Sequence, residues 1–309
     1  MSARYSIIIP HYNIPHLLKR CLSSIPIRED VETIVVDDHS NDASLSEVRE
    51  LQTAFPSVRF FYLDKNMGAG HARNVAIQYA AGEYLLFLDA DDYFHDCINS
   101  LLDDYKDDEA DIVFFNADAV DPITLKPSDR ANRLNIFIDD YFCRKASDSI
   151  SLRYLHNGPC CKMVRKDLID CFGISFDEIP AIEDVIFSYL VGYYAKTIKV
   201  DARKVYCITY RSDSLSNTYT SATLLILTEV MAKKNRFMID QQLPIFDEDF
   251  LIPFRKALKS KNWLLLNRCF LIAREYGFSR TYILYKMVRM STRCRINNLQ
   301  MNMYRKAKK

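Results

Sequence analysis

The chain has 309 residues and a formal charge of +1, from 41 basic and 40 acidic side chains. Because 49% of the residues are hydrophobic, the chain is too apolar to be disordered, yet no run approaches the ~18 uncharged apolar residues of a spanning helix. Residues 221–309 hold 18 basic and 6 acidic side chains (18 − 6 = +12), which leaves residues 1–220 with −11. This segregation predicts two parts, 1–220 and 221–309, with different surroundings.

The cysteines and the N-terminus indicate a cytoplasmic protein. Nine cysteines, an odd number, are scattered without any Cys-x-x-Cys pair, which predicts reduced thiols. The apolar run at 5–9 is closed by Pro10 and is too short for the core of a secretory signal.

The chain alternates apolar runs with amphipathic segments as far as residue 115. Helical spacing follows each of the first three runs, with Asp42 or Ser44 expected to cap the second helix. The apolar runs predict strands at 5–9, 33–36, 58–63, 84–88 and 112–115. This order predicts right-handed crossovers and a mostly parallel sheet.

The pattern is weaker in the rest of the chain. From 117 to 151 we expect loops or short strands, and helical periodicity returns near 183–194. Helices are predicted near 222–239, 249–260, 262–276 and 280–295, with Trp263 and the apolar faces beyond it in the core.

Polar residues follow three of the predicted strands, at 10–13, 37–38 and 89–92. Ligands of parallel sheets bind at the carboxyl ends of the strands, so a site is expected there. The first turn has no glycine, which excludes a nicotinamide-type Rossmann domain, and no P-loop sequence occurs. Asp89 and Asp91, separated by one residue after a buried strand, can hold a hard divalent cation together with phosphate oxygens.

Four segments carry a resemblance to a known family: Ser6–Asn13, Ile34–Ser40, Asn66–Asn74 and Gly82–Asp92. In order and spacing they resemble the blocks of family 2 glycosyltransferases of the bacterial polysaccharide and lipopolysaccharide type, most strongly over residues 4–120. The resemblance implies a GT-A fold, which is an α/β domain with a Rossmann-like, mostly parallel sheet, here with a helical C-terminal appendage. It also implies inverting transfer of a sugar from a nucleotide-sugar, with Mn²⁺ or Mg²⁺ as cofactor.

The resemblance further implies roles for individual residues. Asp38 would accept a hydrogen bond from the base, which suits uracil, and Asp91 with Asp89 would ligate the metal. Asp184 would be the catalytic base, with Glu183 as a neighbour that contacts the acceptor or the donor sugar. The residues implied to bind the nucleotide are Pro10, Tyr12, Asn13, Asp38, Asn66, Gly68, Arg73, Asp89, Ala90 and Arg211.

The expected partners are a UDP-sugar donor and a glycan or lipid-linked acceptor in surface polysaccharide, lipopolysaccharide or capsule synthesis. Seven basic residues lie among apolar ones from Arg289 to Lys309, which fits either an anionic membrane surface or a solvated tail. Nucleic acid is not expected as a partner, because no recognition motif occurs and the predicted site is acidic. Two other functions stay open, namely a metal-dependent phosphohydrolase that uses the Asp89-x-Asp91 pair and a non-catalytic nucleotide-sugar-binding protein.

Overall fold

The computed structural model describes residues 3–122, 124–143, 149–209, 219–243 and 246–289. Its contacts divide the chain into two compact units, Met1–Asn217 and Thr218–Lys309. The first unit is α/β, and the described part of the second is helical. The domain boundary at 220/221 that composition suggests stays a prediction.

One sheet organises the first unit. Its strands are β1 (Tyr5–His11), β2 (Val31–Asp37), β3 (Val58–Tyr62), β4 (Tyr84–Phe87), β5 (Tyr93–Phe94), β6 (Ile112–Val120), β7 (Lys162–Arg165) and β8 (Ile198–Thr209). Among the described residues the order is β3-β2-β1-β4-β7-β6-β8-β5. The first four strands pair in parallel, as does β6 with β8, whereas β7 runs antiparallel to both its neighbours. The mostly parallel α/β sheet is therefore confirmed.

Helices cover the sheet and connect its strands. They are α1 (Pro15–Ser23), α2 (Asp42–Ala54), α3 (Ala69–Tyr79), α4 (Ile98–Asp104), α5 (Asn132–Cys143), α6 (Ile150–Tyr154), α7 (Lys166–Phe172) and α8 (Asp184–Tyr194). Strands β1 and β2 have fully buried side chains on consecutive residues, because both faces of this part of the sheet are covered. That is why they read as continuous apolar runs.

Three local predictions need correction. The cap of α2 is Asn41, whose side chain accepts a hydrogen bond from the Ser44 amide, so Asp42 and Ser44 are inside the helix. The segment from 117 to 151 contains the 12-residue helix α5 as well as the end of β6. Strands β7 and β8 were missed because charged residues interrupt their apolar pattern.

The described part of the second unit contains α9 (Ser221–Asp240), a 3-10 turn (Glu248–Leu251), α10 (Ile252–Lys259), α11 (Trp263–Glu275) and a helical segment at 280–289. A fully buried ion pair between Lys234 Nζ and Asp247 Oδ2, 2.6 Å apart, fixes the 3-10 turn to α9. The Asn235 side chain adds hydrogen bonds to the backbone of Asp247. These bonds satisfy polar groups that would be costly to bury alone.

Two further expectations concern the surface of this unit. Trp263 was predicted in the core, and this is wrong, because 64% of it is exposed. Helix α11 buries Leu265, Leu266, Cys269, Phe270 and Ala273. Trp263 shares the side of Leu266 and Phe270, but it is the first residue of the helix and stays exposed there. In the described parts of the chain, no helix has the length and apolar character needed to cross a membrane.

Candidate functional site

The carboxyl ends of β1, β2 and β4 lie side by side at one edge of the sheet. Strand β1 is central, with His11 in register with Asp37 of β2, and Ile8 with Phe87 of β4. The three predicted polar segments therefore meet at this edge.

Asp37, the last residue of β2, connects the ends of β1 and β2 through hydrogen bonds. Its buried carboxylate accepts hydrogen bonds from Ser40 and lies 2.7 Å from His11 Nδ1. Burial by itself would raise the pKa of Asp37, but the hydrogen bonds from His11 and Ser40 hold it below its ordinary value. Because His11 Nε2 accepts a hydrogen bond from the Ile14 amide, we assign the ring proton to Nδ1. The ring therefore links the Asp37 carboxylate to the turn after β1.

Asp38 holds the loop that follows β3. Its two carboxylate oxygens accept the Met67 and Gly68 amides at 2.8 and 2.7 Å, while its carbonyl accepts the Asn66 side chain. Gly68 has φ +88°, a conformation that favours glycine. Each carboxylate oxygen has a second acceptor position, so the geometry leaves Asp38 able to accept a donor from a base as well.

The remaining residues expected at the nucleotide differ in exposure. Tyr12 is 50% exposed, Pro10 is partly buried and Ala90 is buried. Asn13 has φ 55°, and its side-chain oxygen accepts the Asn41 amide, which ties the turn after β1 to the start of α2.

Three carboxylates after β4 form a candidate metal centre. Asp89, Asp91 and Asp92 each offer an oxygen, and these atoms lie within 4.8 Å of one another. Burial, together with the charges of Asp91 and Asp89, raises the pKa of Asp92 well above its ordinary value. Tyr206 Oη donates to Asp92 at 2.7 Å, and so does the Thr209 amide.

This donor set fits a hard divalent cation. Carboxylate oxygens are the ligands that Mg²⁺ and Mn²⁺ prefer, and a bound cation would relieve the repulsion among the three acids. Asp89 and Asp91 are the more accessible pair, while Asp92 is 5% exposed and already accepts two hydrogen bonds. Its bonds to Tyr206 and Thr209 anchor the segment that carries the pair.

Arg73 joins this centre to a distant part of the chain. From α3 its guanidinium donates to Asp89 at 2.7 Å and to Glu183 at 2.9 Å, and it lies 5.3 Å from the Phe176 ring centroid. The side chain is nearly fully buried, and its Nε finds no hydrogen-bond partner among the residues that the structure describes. Burial by itself would lower the pKa of Arg73, but the charges of Asp89 and Glu183 raise it, so the group stays cationic. It holds two acidic segments together.

Asp184 is the first residue of α8 and follows Glu183 directly. Burial, and then the charge of Glu183, raises the pKa of Asp184 to about 7. A helix N-terminus normally stabilises the charged carboxylate and would have the opposite effect. A carboxyl group with a pKa near neutrality is suited to exchange a proton at physiological pH.

The backbone before Asp184 is tightly constrained. Ile182 has φ 65°, which is unfavourable for a β-branched residue. A Cβ on Gly70 would lie 2.3 Å from the Asp177 carbonyl oxygen and 3.1 Å from the Glu183 Cβ, so α3 packs directly on this segment. His71, unexplained by the sequence, lies 2.9 Å from a Glu178 oxygen in the same segment.

Sequence reasoning found part of this site. It missed Tyr206, which is on the unpredicted strand β8, and Phe176, which has no motif. Asp92 was visible as the last residue of the acidic run. Arg211 lies outside the described residues.

Comparison with known proteins identifies relatives of the chain. The sequence model of glycosyl transferase family 2 matches residues 6–173. GlyA, a glycosyltransferase of Streptococcus pneumoniae serotype 4, is 24% identical over 83% of this chain and 37% of its own. The poly(ribitol-phosphate) beta-N-acetylglucosaminyltransferase TarS of Staphylococcus aureus strain MW2 is 27% identical over 71% of this chain and 38% of its own. The chain thus spans well under half the length of these two proteins.

A solved structure has the same fold. The crystal structure of S. aureus TarS 1–349 in complex with UDP-GlcNAc has a TM-score of 0.63 and 19% identity, and the match covers 88% of this chain and 81% of that one. This likeness confirms the expected fold class, an α/β GT-A fold with a helical C-terminal region.

Proposed function

The chain belongs to glycosyl transferase family 2, and on that premise we propose that it transfers a sugar from a nucleotide-sugar to a hydroxyl group of a cell-surface polymer or a lipid-linked precursor. The observation that carries the proposal is the Arg73 link between Asp89 and Glu183. It brings carboxylates suited to a diphosphate-bound cation close to a carboxyl group suited to proton removal.

We propose UDP as the nucleotide of the donor. The related TarS structures contain UDP-GlcNAc and UDP, and the Asp38 carboxylate is suited to accept the ring N–H of uracil. Tyr12 and Asn13 would flank the nucleoside, and Asn66 and Gly68 would approach it through the loop that Asp38 holds. Arg211 stays a predicted phosphate contact.

Asp89 and Asp91 would hold Mn²⁺ or Mg²⁺, which would stabilise negative charge on the departing diphosphate. Tyr206 and Thr209 hold the segment that carries these carboxylates, through hydrogen bonds to the Asp92 side chain and to the backbone of Asp89 and Asp91. Arg73 balances part of the acidic charge before the donor arrives.

Asp184 would remove the proton of the acceptor hydroxyl. As the oxygen of the acceptor hydroxyl forms a bond to the anomeric carbon, the bond from that carbon to the nucleoside diphosphate breaks. The hydroxyl proton passes to Asp184. General-base assistance of this kind contributes about 10²–10⁴-fold. Inversion requires the base and the leaving group on opposite faces of the sugar, as in inverting glycosidases.

For the acceptor, we propose a phosphate-containing cell-surface polymer, by analogy with the substrate named for TarS. The capsule and lipopolysaccharide acceptors expected from the sequence are the alternatives. Peripheral attachment to a membrane through 289–309 stays a prediction, because most of that segment lies outside the described residues. Flotation with and without acidic lipid tests it, and absence of binding at low salt would contradict it.

The function is tested with a panel of nucleotide-sugars, beginning with UDP-GlcNAc, in the presence of Mn²⁺. We expect UDP release that depends on both metal and acceptor. Asp184→Asn should retain nucleotide binding in a thermal-shift assay and lose transfer, and full activity of this variant would eliminate Asp184 as the base. Phosphatase turnover without any nucleotide-sugar would favour the phosphohydrolase, and binding without UDP release would favour the non-catalytic alternative.

A further inference from the structure

The turn between α10 and α11 exposes an unusual combination of side chains. Trp263 is 64% exposed and Leu264 is 74% exposed, and both follow the exposed Lys259 and Lys261. We call these four residues the apolar-basic tip. Large apolar side chains exposed together, rather than singly, indicate an interaction surface.

The backbone of this tip is fixed. The Ser260 and Lys261 amides donate to the last carbonyls of α10, and Lys261 leaves the helix with φ 53°. The Asn262 side chain then caps α11 by accepting the Leu265 amide at 3.0 Å, while Leu265 is buried beneath the turn. The tip is therefore presented on a preformed support, and binding through it would cost little ordering entropy.

The sequence around the tip carries charge of one sign. Between Asp249 and Glu275 the sequence contains no acidic residue and six basic ones: Arg255, Lys256, Lys259, Lys261, Arg268 and Arg274. Such a field attracts an anionic surface and repels a basic one.

We propose that the apolar-basic tip docks on an anionic lipid membrane, with Trp263 and Leu264 entering the interfacial region and Lys259 and Lys261 contacting the headgroups. Indole rings favour the boundary between headgroups and hydrocarbon, and lysine side chains reach outward from it. Leu264 favours lipid over a hydrated polyanionic glycan, since a glycan offers its apolar side chain no comparable environment. The four residues of the tip are not part of the basic segment 289–309, and the inference does not depend on the transfer reaction.

Trp263 is the only tryptophan of the chain, so its fluorescence reports on the tip directly. The full-length protein is titrated with vesicles of phosphatidylcholine containing 30% phosphatidylglycerol, and with pure phosphatidylcholine vesicles. We expect a blue shift of the emission, and quenching by brominated lipid, only with the anionic vesicles. Both effects should disappear near 1 M salt, where the Debye length is about 3 Å.

Variants separate the two components of docking in a vesicle co-sedimentation assay. Lys259→Gln/Lys261→Gln should weaken binding about 25-fold, at about fivefold per lysine. Trp263→Ala/Leu264→Ser should weaken it by at least about tenfold. The matched controls are Ile27→Ser, which removes a side chain that is 97% exposed in the first unit, and Lys106→Gln/Lys126→Gln, which removes two exposed lysines there. The controls should bind like the unmodified protein.

The outcomes are distinct. Loss of vesicle binding in the tip variants, with the Tm of the protein unchanged, supports the docking surface. Vesicle binding without any change in Trp263 emission would overturn it, because another surface would then make the contact. Absence of binding at low salt, or an emission change with a soluble phosphate polymer but not with vesicles, would also overturn it. None of these results depends on whether transfer is observed.

Discussion

Replacing Asp184 with asparagine should stabilise the protein at alkaline pH while it abolishes transfer. The pKa of this carboxyl rises from 3.8 to about 7 on folding, through burial and the charge of Glu183. Between these values the folded protein binds more protons than the unfolded chain, so stability falls as the pH rises, and the loss is complete above about 7. Asparagine has no charge to bury and avoids this loss.

The size of the effect follows from the same numbers. Three pKa units at 1.36 kcal/mol each give an upper bound of about 4 kcal/mol. Asp184 is only partly buried by surface area and loses some favourable polar contact on substitution, so we expect about 1–2 kcal/mol. For a unit of this size, that raises the Tm by about 2–8 °C.

Thermal unfolding at pH 8.5 and pH 4.5 measures the effect. The Tm gain should be present at pH 8.5 and nearly absent at pH 4.5, where the native carboxyl is protonated. Glu183→Gln is the comparison variant: it weakens the bond to Arg73 and should lower the Tm at pH 4.5, whereas at pH 8.5 it also removes a charge that raises the pKa of Asp184, which offsets part of that loss. An equal gain at both pH values, or a loss at pH 8.5, would refute the reasoning. In the unmodified protein, kcat/KM should fall about tenfold per pH unit below about 7, since the base must be deprotonated.

Other substitutions test how the site is held together. Arg73→Met should lower the free energy of unfolding by about 2 kcal/mol and abolish transfer, whereas Arg73→Lys should recover part of the stability and part of the activity. Urea denaturation measures the stability and UDP release measures the activity. A fully active methionine variant would contradict this prediction. Gly70→Ala should cost about 1–3 kcal/mol, because its Cβ would collide with the Asp177 carbonyl. Gly158→Ala, whose Cβ would lie 3.8 Å from His156 Cε1, is the control and should leave the Tm unchanged. Tyr206→Phe should weaken Mn²⁺ binding in calorimetry and cost about 1–2 kcal/mol, and unchanged affinity would argue against its support of Asp92.

The parts of the fold that sequence could predict are those with local signals. Strands β1, β2 and β4 are buried on both faces and appear as apolar runs, and the acidic groups follow them directly. Strand β8 carries charged residues and was missed, and so Tyr206 was missed with it. Trp263 could not be placed from its spacing, because it precedes the buried Leu266 by three residues and the buried Phe270 by seven, and helical periodicity therefore puts it on the buried side. Its exposure follows from its position as the first residue of α11.

The candidate site shows a different limit. The two bonds of Arg73 join residues 16 and 110 positions away, which no local pattern encodes. The raised pKa of Asp184 likewise depends on burial by the whole unit rather than on its helix position. Motifs can therefore propose the participants, but the connection between them is a property of the tertiary structure.

The antiparallel strand β7 has a consequence for the order of folding. The parallel layer β3-β2-β1-β4 uses only residues up to 87, whereas β4 finds its other neighbour at 162–165 and β6 pairs with 198–209. During synthesis the parallel layer can assemble first, while the edge of β4 stays open and prone to mispairing until β7 arrives. Strand pairings between residues far apart in the sequence form slowly. The addition of β7, β6 and β8 should therefore be among the last steps of folding, and it is the step that most needs protection from aggregation.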